Sequence, residues 1–412
     1  MIKTLGFQGF KSLQEIRGLH LGTVNVLIGA NGSGKSNILE AIGVMGAAAS
    51  GRIDDQTLLR RGVRPGGPAL YKTSLAGSRL RRTISFEAMG KWGDEESTYR
   101  VSLDNPIDAP EKVWHYLSES LLRGQRKIVS FSPRGRSFVS GLPNLGPEAA
   151  KLKQNSGLTA LVRGYEELTG APASLVDHLA NFVIYSPTTQ VLRGIQPDQE
   201  QRHPLGLFGG RLAEAVEDLL EPGHHRFGSM DLDEVYALLD WVASLGVARP
   251  SRDLLSPSVP SARRIIRFTD KWMRESRNQL SGYDASEGAL FVLFILTLAM
   301  HPDTPTFCSV DNFDLAMHPR LARAVTRQFC RLVVEAGRGQ QFILTTHNPL
   351  VLDGLNLRDE RIRLFAVERN RSGATELFRV EPSDAMLIAM EKGTPLSSLW
   401  VMGRLGGVPD IF

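Results

Sequence analysis

The stretch that most constrains this chain is Gly29-Ala30-Asn31-Gly32-Ser33-Gly34-Lys35-Ser36, a glycine, four residues, then Gly-Lys-Ser. Glycines at these positions let backbone N–H groups turn inward around an anion. A lysine placed as Lys35 reaches β- and γ-phosphates, and a hydroxyl placed as Ser36 holds Mg²⁺. The preceding run, Val24–Gly29 (VNVLIG), reads as a buried strand. From Ser36 onward, SNILEAI begins a helical pattern, whose positive end would aim at the phosphates. Strand, glycine turn and helix in that order are the context that separates a phosphate-binding loop from a chance glycine turn.

The remaining pattern is of the α/β kind. Ile2 to Phe10 alternates and reads as a strand. Short strands recur over 82–87, 98–103, 112–116 and 127–131, separated by Gly, Pro, Asp and Asn, which predicts an antiparallel sheet. From Pro147 to Val247 the pattern turns helical, as in 210–220 and 231–245, and a Pro- and Ser-rich stretch over 248–262 marks a boundary. Next come an expected helix over 265–279, the apolar run Ala289–Met300, a strand over 306–310, a helix over 319–337, a strand over 341–345 and a strand pair over 361–367 and 375–380. Strands alternating with helices at both ends predict a parallel sheet built from the two ends of the chain, with the middle inserted. The expected division is 1–85, 86–261 and 262–412.

Composition narrows the setting. Hydrophobic residues make up 42% and charged residues 22% of the 412, enough for a sizeable core. Two cysteines, Cys308 and Cys330, exclude a disulfide framework. The longest apolar run has twelve residues, against about 20 for a membrane span, and the first residues carry no apolar signal core. A cytoplasmic protein without membrane association is expected. The net charge of +4 gives weak support for an anionic partner.

Three further constellations carry chemistry. Thr306–Asp311 is an apolar run ending in Asp, which suits a carboxylate in a Mg²⁺ shell. Gln341–His347 ends a strand in Thr-Thr-His, making His347 a candidate for touching a γ-phosphate, against the plainer reading of a satisfied histidine. Ser286-Glu287-Gly288 precedes the long apolar helix. It is either a plain N-cap or a hydroxyl and helix N-terminus offered to another subunit's phosphate.

Together these motifs resemble an ABC-type ATPase of the SMC/RecF/OLD branch, most closely the OLD-like ATP-binding proteins of anti-phage defence. Phe7-Gln-Gly-Phe10-Lys11-Ser12 is similar to the family's opening motif, and Gly29–Asn37 to its GxNGSGKSN loop. Ser286-Glu287-Gly288 looks like a shortened signature. Val310-Asp311-Asn312-Phe-Asp314-Leu-Ala-Met-His318-Pro319 takes the place of the family's DEPExxLHP, and Thr345–Pro349 resembles the switch-histidine loop. The tail from Leu399 is also similar to family tails. The resemblance implies an ABC-type P-loop domain, with a mixed sheet flanked by helices and an inserted antiparallel and helical lobe. It implies ATP and Mg²⁺ as cofactors, sandwiched in a head-to-tail homodimer or higher oligomer. Asn31, Gly32, Ser33, Gly34, Lys35, Ser36 and Asn37 would then hold the nucleotide, and Ser36 and Asp311 the metal. Ser286 and Gly288 would reach over from the second copy, and His347 would sense the γ-phosphate. A metal-sensing glutamine is expected in the second lobe, with Gln154 the candidate.

One departure matters. The family's catalytic Glu after the aspartate is Asn312 here. An amide orients a water but cannot accept its proton, and such help is worth about 10²–10⁴-fold. Slow turnover is expected unless another carboxylate serves; Asp314 either does so or caps the following helix. The stretch after His347 reads as a strand pair and a short tail, so the nuclease that many OLD proteins carry is expected on an effector partner. Basic clusters at Arg60, Arg61 and Arg64, at Arg79, Arg81 and Arg82, at Arg123, Arg126 and Lys127, and at Arg263, Arg264 and Arg267 are solvated faces or nucleic-acid contacts. A RecF/SMC-like DNA-binding ATPase in DNA repair or maintenance is the alternative function.

Overall fold

The computed structural model describes residues 1–132, 138–139, 155–163, 168–251, 255, 263–383, 386, 388 and 393–408. Gln154 lies outside them.

Two sheets face each other across a buried helix. The first is a seven-stranded antiparallel sheet. Its hairpin Ile2–Phe10 and Leu13–His20 pairs through Ile2–Phe10 with Thr83–Trp92, and the sheet runs on through Glu95–Asp104, His115–Arg123, Arg126–Phe131 and Phe138–Val139. The second sheet has six strands in the spatial order Thr375–Val380, Ile362–Arg369, Val24–Ile28, Gln341–Thr346, Phe307–Val310, Val183–Tyr185. All neighbours are parallel except the first pair, so this sheet is mixed, as expected. Strands Val24–Ile28, Gln341–Thr346 and Phe307–Val310 are buried along their length, as sheets covered on both faces require.

Helix Lys35–Ala49 fills the space between the sheets and is buried on almost every side. It is apolar all round, the pattern of a helix without a solvent face. Small residues set its closeness to its neighbours: a Cβ at Gly46 would run into the Leu179 carbonyl of helix Ala171–Ala180. On the other face of the mixed sheet, helix Glu287–Met300 is also buried throughout its apolar run, and the amphipathic helix Pro319–Ala336 closes that layer. Among the described residues no helix is long and apolar enough to cross a membrane.

Two expected helices are strands in part. Residues 265–279 form strand Ile265–Asp270, a 3₁₀ turn Glu275–Arg277 and strand Gln279–Ser281. Residues 231–245 form only a short helix, Leu232–Leu238, before strand Val242–Ala248, which pairs with Ile265–Asp270. Ile265, Ile266 and Phe268 are buried there, with Trp241 packed on Phe268 at 5.3 Å between ring centroids. Long-range pairing of β-branched and aromatic residues overrides the local helical pattern. Strand Val183–Tyr185 also lies in the stretch that reads as helical, yet it is an edge of the mixed sheet beside Phe307–Val310.

A buried amide ties the two sheets. The Ile2 N–H donates to Gln341 Oε1 at 2.7 Å, and Gln341 Nε2 donates to the carbonyls of Ile2 and Gly22, each at 2.9 Å. Gln341→Leu keeps the volume but leaves the buried Ile2 N–H without its partner, while the Gly22 carbonyl keeps Asn25 Nδ2 at 3.2 Å. Unfolding in urea should lose about 2 kcal/mol or more. A loss below about 0.5 kcal/mol would show that the amide does not join the layers.

Candidate functional site

The glycine loop follows strand Val24–Ile28 and ends at helix Lys35–Ala49. Gly32 and Gly34 hold φ of 76° and 114°, values that glycine adopts without strain. A side chain at Gly34 would collide with the Thr375 hydroxyl, and one at Gly29 with the Val367 carbonyl. Lys35 Nζ folds back onto the loop, donating to the carbonyls of Gly29 (2.7 Å) and Ala30 (3.0 Å). Burial lowers its ammonium from 10.5 to about 8, with Asp311 opposing the shift. The Ser33 hydroxyl is buried without a partner among the described residues. A cavity of about 630 Å³ opens over the loop, walled by Arg64, Asn312, His347 and Arg369.

Asp311 follows strand Phe307–Val310, two strands from the loop strand in the sheet. The strand between them supplies Thr345. Its hydroxyl donates to Asp311 Oδ1 at 2.5 Å and accepts from the Asn312 N–H at 2.9 Å. The Ser36 hydroxyl lies 3.2 Å from Asp311 Oδ2. A hydroxyl and a carboxylate are hard oxygen donors of the kind Mg²⁺ takes, the rest of its shell coming from phosphate and water. A second cavity of about 350 Å³ adjoins Ser36 and Asp311 and is bounded by Glu40, Ser186, Gln199 and Glu200. The sequence reading passed over Thr345 as a partner of Asp311. It also passed over Ser186, the residue after the unrecognised strand Val183–Tyr185.

His347 lies after strand Gln341–Thr346 and lines the larger cavity. Burial, then the Lys35 charge, pushes its imidazole below its ordinary value, and Asp314 and Asp311 oppose this. It is therefore neutral near pH 7 and able to donate one hydrogen bond. Asn312 is exposed at a φ of 55°, a conformation asparagine tolerates better than glutamate. Asp314 does not cap the next helix. His318 takes that place, accepting from the Arg320 N–H at 3.3 Å, and the Asp314 charge is felt at His347 instead.

Ser286 is the N-cap of helix Glu287–Met300, its hydroxyl accepting from the Ala289 N–H at 3.3 Å. The side chain is exposed. Neither Ser286 nor Gly288 borders the cavity over the glycine loop of its own chain.

The opening motif acts as a brace for the loop. Lys11 and Arg64 both pair with the buried Glu40 of the loop helix, Arg64 at 2.6 Å. Asn37 Nδ2 donates to the Ser12 hydroxyl at 2.7 Å. The Thr375 hydroxyl sits 2.7 Å from the Ser12 hydroxyl and 2.8 Å from the Ser33 carbonyl. Each basic cluster has one arginine paired with a carboxylate within the chain, Arg64 being that of the first. Arg82 grips Asp104 with two bonds of 2.6 Å, Arg264 meets Glu217 at 2.7 Å and Arg123 meets Glu95 at 3.2 Å. Arg61 is buried and spends its guanidinium on the carbonyls of Thr57 and Ala180.

Parts of the chain are similar to known proteins. A family model described as "AAA domain, putative AbiEii toxin, Type IV TA system" matches residues 24–125 and 264–353. The "DNA replication and repair protein RecF" of Renibacterium salmoninarum is 27% identical over 234 residues, 49% of this chain and 54% of the relative. The RecF protein of Paenarthrobacter aurescens is 29% identical over 145 residues, 35% of this chain and 32% of the relative. The chain is thus similar to RecF proteins over part of its length. It spans about half the length of the first of these curated relatives and a third of the second. Among solved structures, the SMC head domain from Thermotoga maritima aligns with a TM-score of 0.44 at 15% identity, covering 92% of this chain and 99% of that one. An Smc head bound to the C-winged helix domain of ScpA aligns with a TM-score of 0.49 at 14% identity, covering 94% and 99%.

The state of Lys35 yields a pH prediction. With its ammonium at about 8, Lys35 is about nine-tenths charged at pH 7 and about one-tenth charged at pH 9. Affinity for a non-hydrolysable ATP analogue should therefore fall about tenfold from pH 7 to pH 9. Near pH 8, binding should take up a proton, seen by calorimetry in buffers of different ionisation enthalpy. A flat affinity without proton uptake would mean that Lys35 does not meet the phosphates.

Proposed function

We propose that this chain binds ATP with Mg²⁺, hydrolyses it slowly, and closes head to tail with a second copy around two nucleotides. The observation that carries this reading is the meeting of Ser36, Thr345 and Asp311 at the mouth of the glycine loop, within 3.2 Å of one another along the chain of contacts. Bound Mg²⁺ would neutralise charge on the phosphates. Ser36 and Asp311 hold it, and Thr345 fixes the carboxylate's orientation. Lys35 and the loop N–H groups between Asn31 and Asn37 cradle the phosphates. His347, neutral and near Lys35, donates to the terminal phosphate. Ser286 and Gly288 serve the second copy, because they lie at an exposed helix N-terminus, which favours anions, and do not border the cavity over their own loop.

Asp314 is the carboxylate that receives the proton of the attacking water, and Asn312 orients that water. A DNA-maintenance role is supported by the likeness to RecF proteins. A defence role, OLD-like and exercised through a partner nuclease, is the second reading, favoured by the toxin–antitoxin description of the matching family model.

Phosphate release from Mg-ATP tests the catalytic assignment. Asp314→Asn should lower the rate about 10²-fold or more, and Asn312→Asp should raise it, by returning a carboxylate to a backbone position it tolerates. Equal rates in all three proteins would remove Asp314 from the mechanism. Lys35→Ala should abolish ATP binding while leaving the circular dichroism unchanged; undiminished binding would remove the assignment of the loop. Salt-dependent DNA binding with the analogue present supports the first reading, and its absence points to the protein partner.

A further inference from the structure

A second cluster of metal-ligating groups lies at the opposite end of the signature helix. Helix Glu287–Met300 starts at Ser286 and ends at His301, its C-cap. Fourteen residues at about 1.5 Å each separate the two ends by about 21 Å, so this place is distinct from the signature, and none of its three residues lines the cavity over the phosphate loop. His301 there meets Asp303 from the following turn and His203 from the loop before Pro204. One ligand atom from each lies within 4.8 Å of the others. His203 Nε2 is 2.7 Å from Asp303 Oδ2. The two imidazoles stand edge to face with centroids 5.2 Å apart. His301 is buried, whereas His203 and Asp303 are exposed, so the cluster has a solid floor and an open rim. Asp218, on helix Leu212–Leu219, adds a fourth group: its Oδ2 lies 3.5 Å from His301 Nε2.

We propose that His203, His301 and Asp303 bind a divalent transition metal of the zinc class. Two imidazole nitrogens and one carboxylate oxygen suit a borderline ion of four-coordinate preference, with water in the remaining position, and suit Mg²⁺ poorly. The tautomer of His301 follows from its surroundings. Nε2 faces the Asp218 carboxylate and carries the proton, which leaves Nδ1 for the metal. A carboxylate on the far nitrogen is the outer support that ligating histidines use. Metal entry replaces two contacts, the His203–Asp303 hydrogen bond and the 3.1 Å approach of the Asp303 N–H to His301 Nδ1. The result is a staple between the His203 loop and the end of the helix that presents Ser286. The cysteines do not compete, since Cys308 and Cys330 are fully buried and their thiols are held protonated by that burial.

Calorimetry of the chelator-treated full chain with Zn²⁺ tests the site, with Co²⁺ as the spectroscopic probe. The site predicts one Zn²⁺ per chain and the visible absorption of four-coordinate Co²⁺. His203→Ala and Asp303→Asn change exposed side chains and should each weaken binding about 10–100-fold. His347→Ala, at the nucleotide site, should leave it unchanged. Zn²⁺ should raise the melting temperature of the wild-type chain but not of His203→Ala. Absence of stoichiometric binding, binding indifferent to His203→Ala, or binding lost in His347→Ala would each overturn the proposal.

Discussion

Among the described residues the Asp311 carboxylate makes no ion pair; it is held by two hydroxyls, Thr345 from one side and Ser36 from the other. That arrangement depends on the register of three parallel strands. Val310 pairs with Leu344 and Thr346 with Ile28, so the strands carrying Asp311, Thr345 and the glycine loop end at one edge of the sheet. A shift of one residue in either pairing would turn Thr345 to the other face. The carboxylate would then lose its orienting hydroxyl, and the metal shell its geometry.

The rest of the architecture holds that edge rigid. The loop helix is buried between two sheets, and its start is fixed by Asn37 on Ser12 and by the Lys11–Glu40–Arg64 cluster. The N-terminal hairpin that supplies Lys11 and Ser12 belongs to the antiparallel sheet. Movement of that sheet against the mixed one would be felt directly at the loop. Gln341 and the loop helix both join the layers, one at the bottom of the central strand and one at the nucleotide edge. The site is thus built from chain segments far apart in sequence, and its precision comes from backbone pairing and close packing rather than from surface ion pairs.

Much of this was legible in the residues alone. The loop, the Asp311 strand and the His347 strand each carry a short apolar run that ends in a chemically distinctive residue, and all three proved to be adjacent in one sheet. What escaped has a common physical cause. Val183–Tyr185 and Ile265–Asp270 are strands only because distant partners pair with them, and short apolar runs do not reveal such partners. Thr345 was visible in the Thr-Thr-His motif, but its role depends on Asp311 lying on the neighbouring strand, a fact of register. Asp314 had two readings of equal standing until the cap was seen to be His318. The cluster of His203, His301 and Asp303 was invisible, since its members come from a loop and a helix end a hundred residues apart with no motif spacing to mark them.

Cross-linking between copies tests the nucleotide-closed dimer most directly. The native thiols are buried, so cysteines introduced singly at exposed Asn31 and Ser286 react alone with a short bifunctional maleimide. In a mixture of N31C and S286C chains, covalent dimers should accumulate with Mg²⁺ and a non-hydrolysable ATP analogue, and should vanish when both chains also carry Lys35→Ala. Dimers formed equally without nucleotide, or none with it, would contradict a pocket shared between two copies.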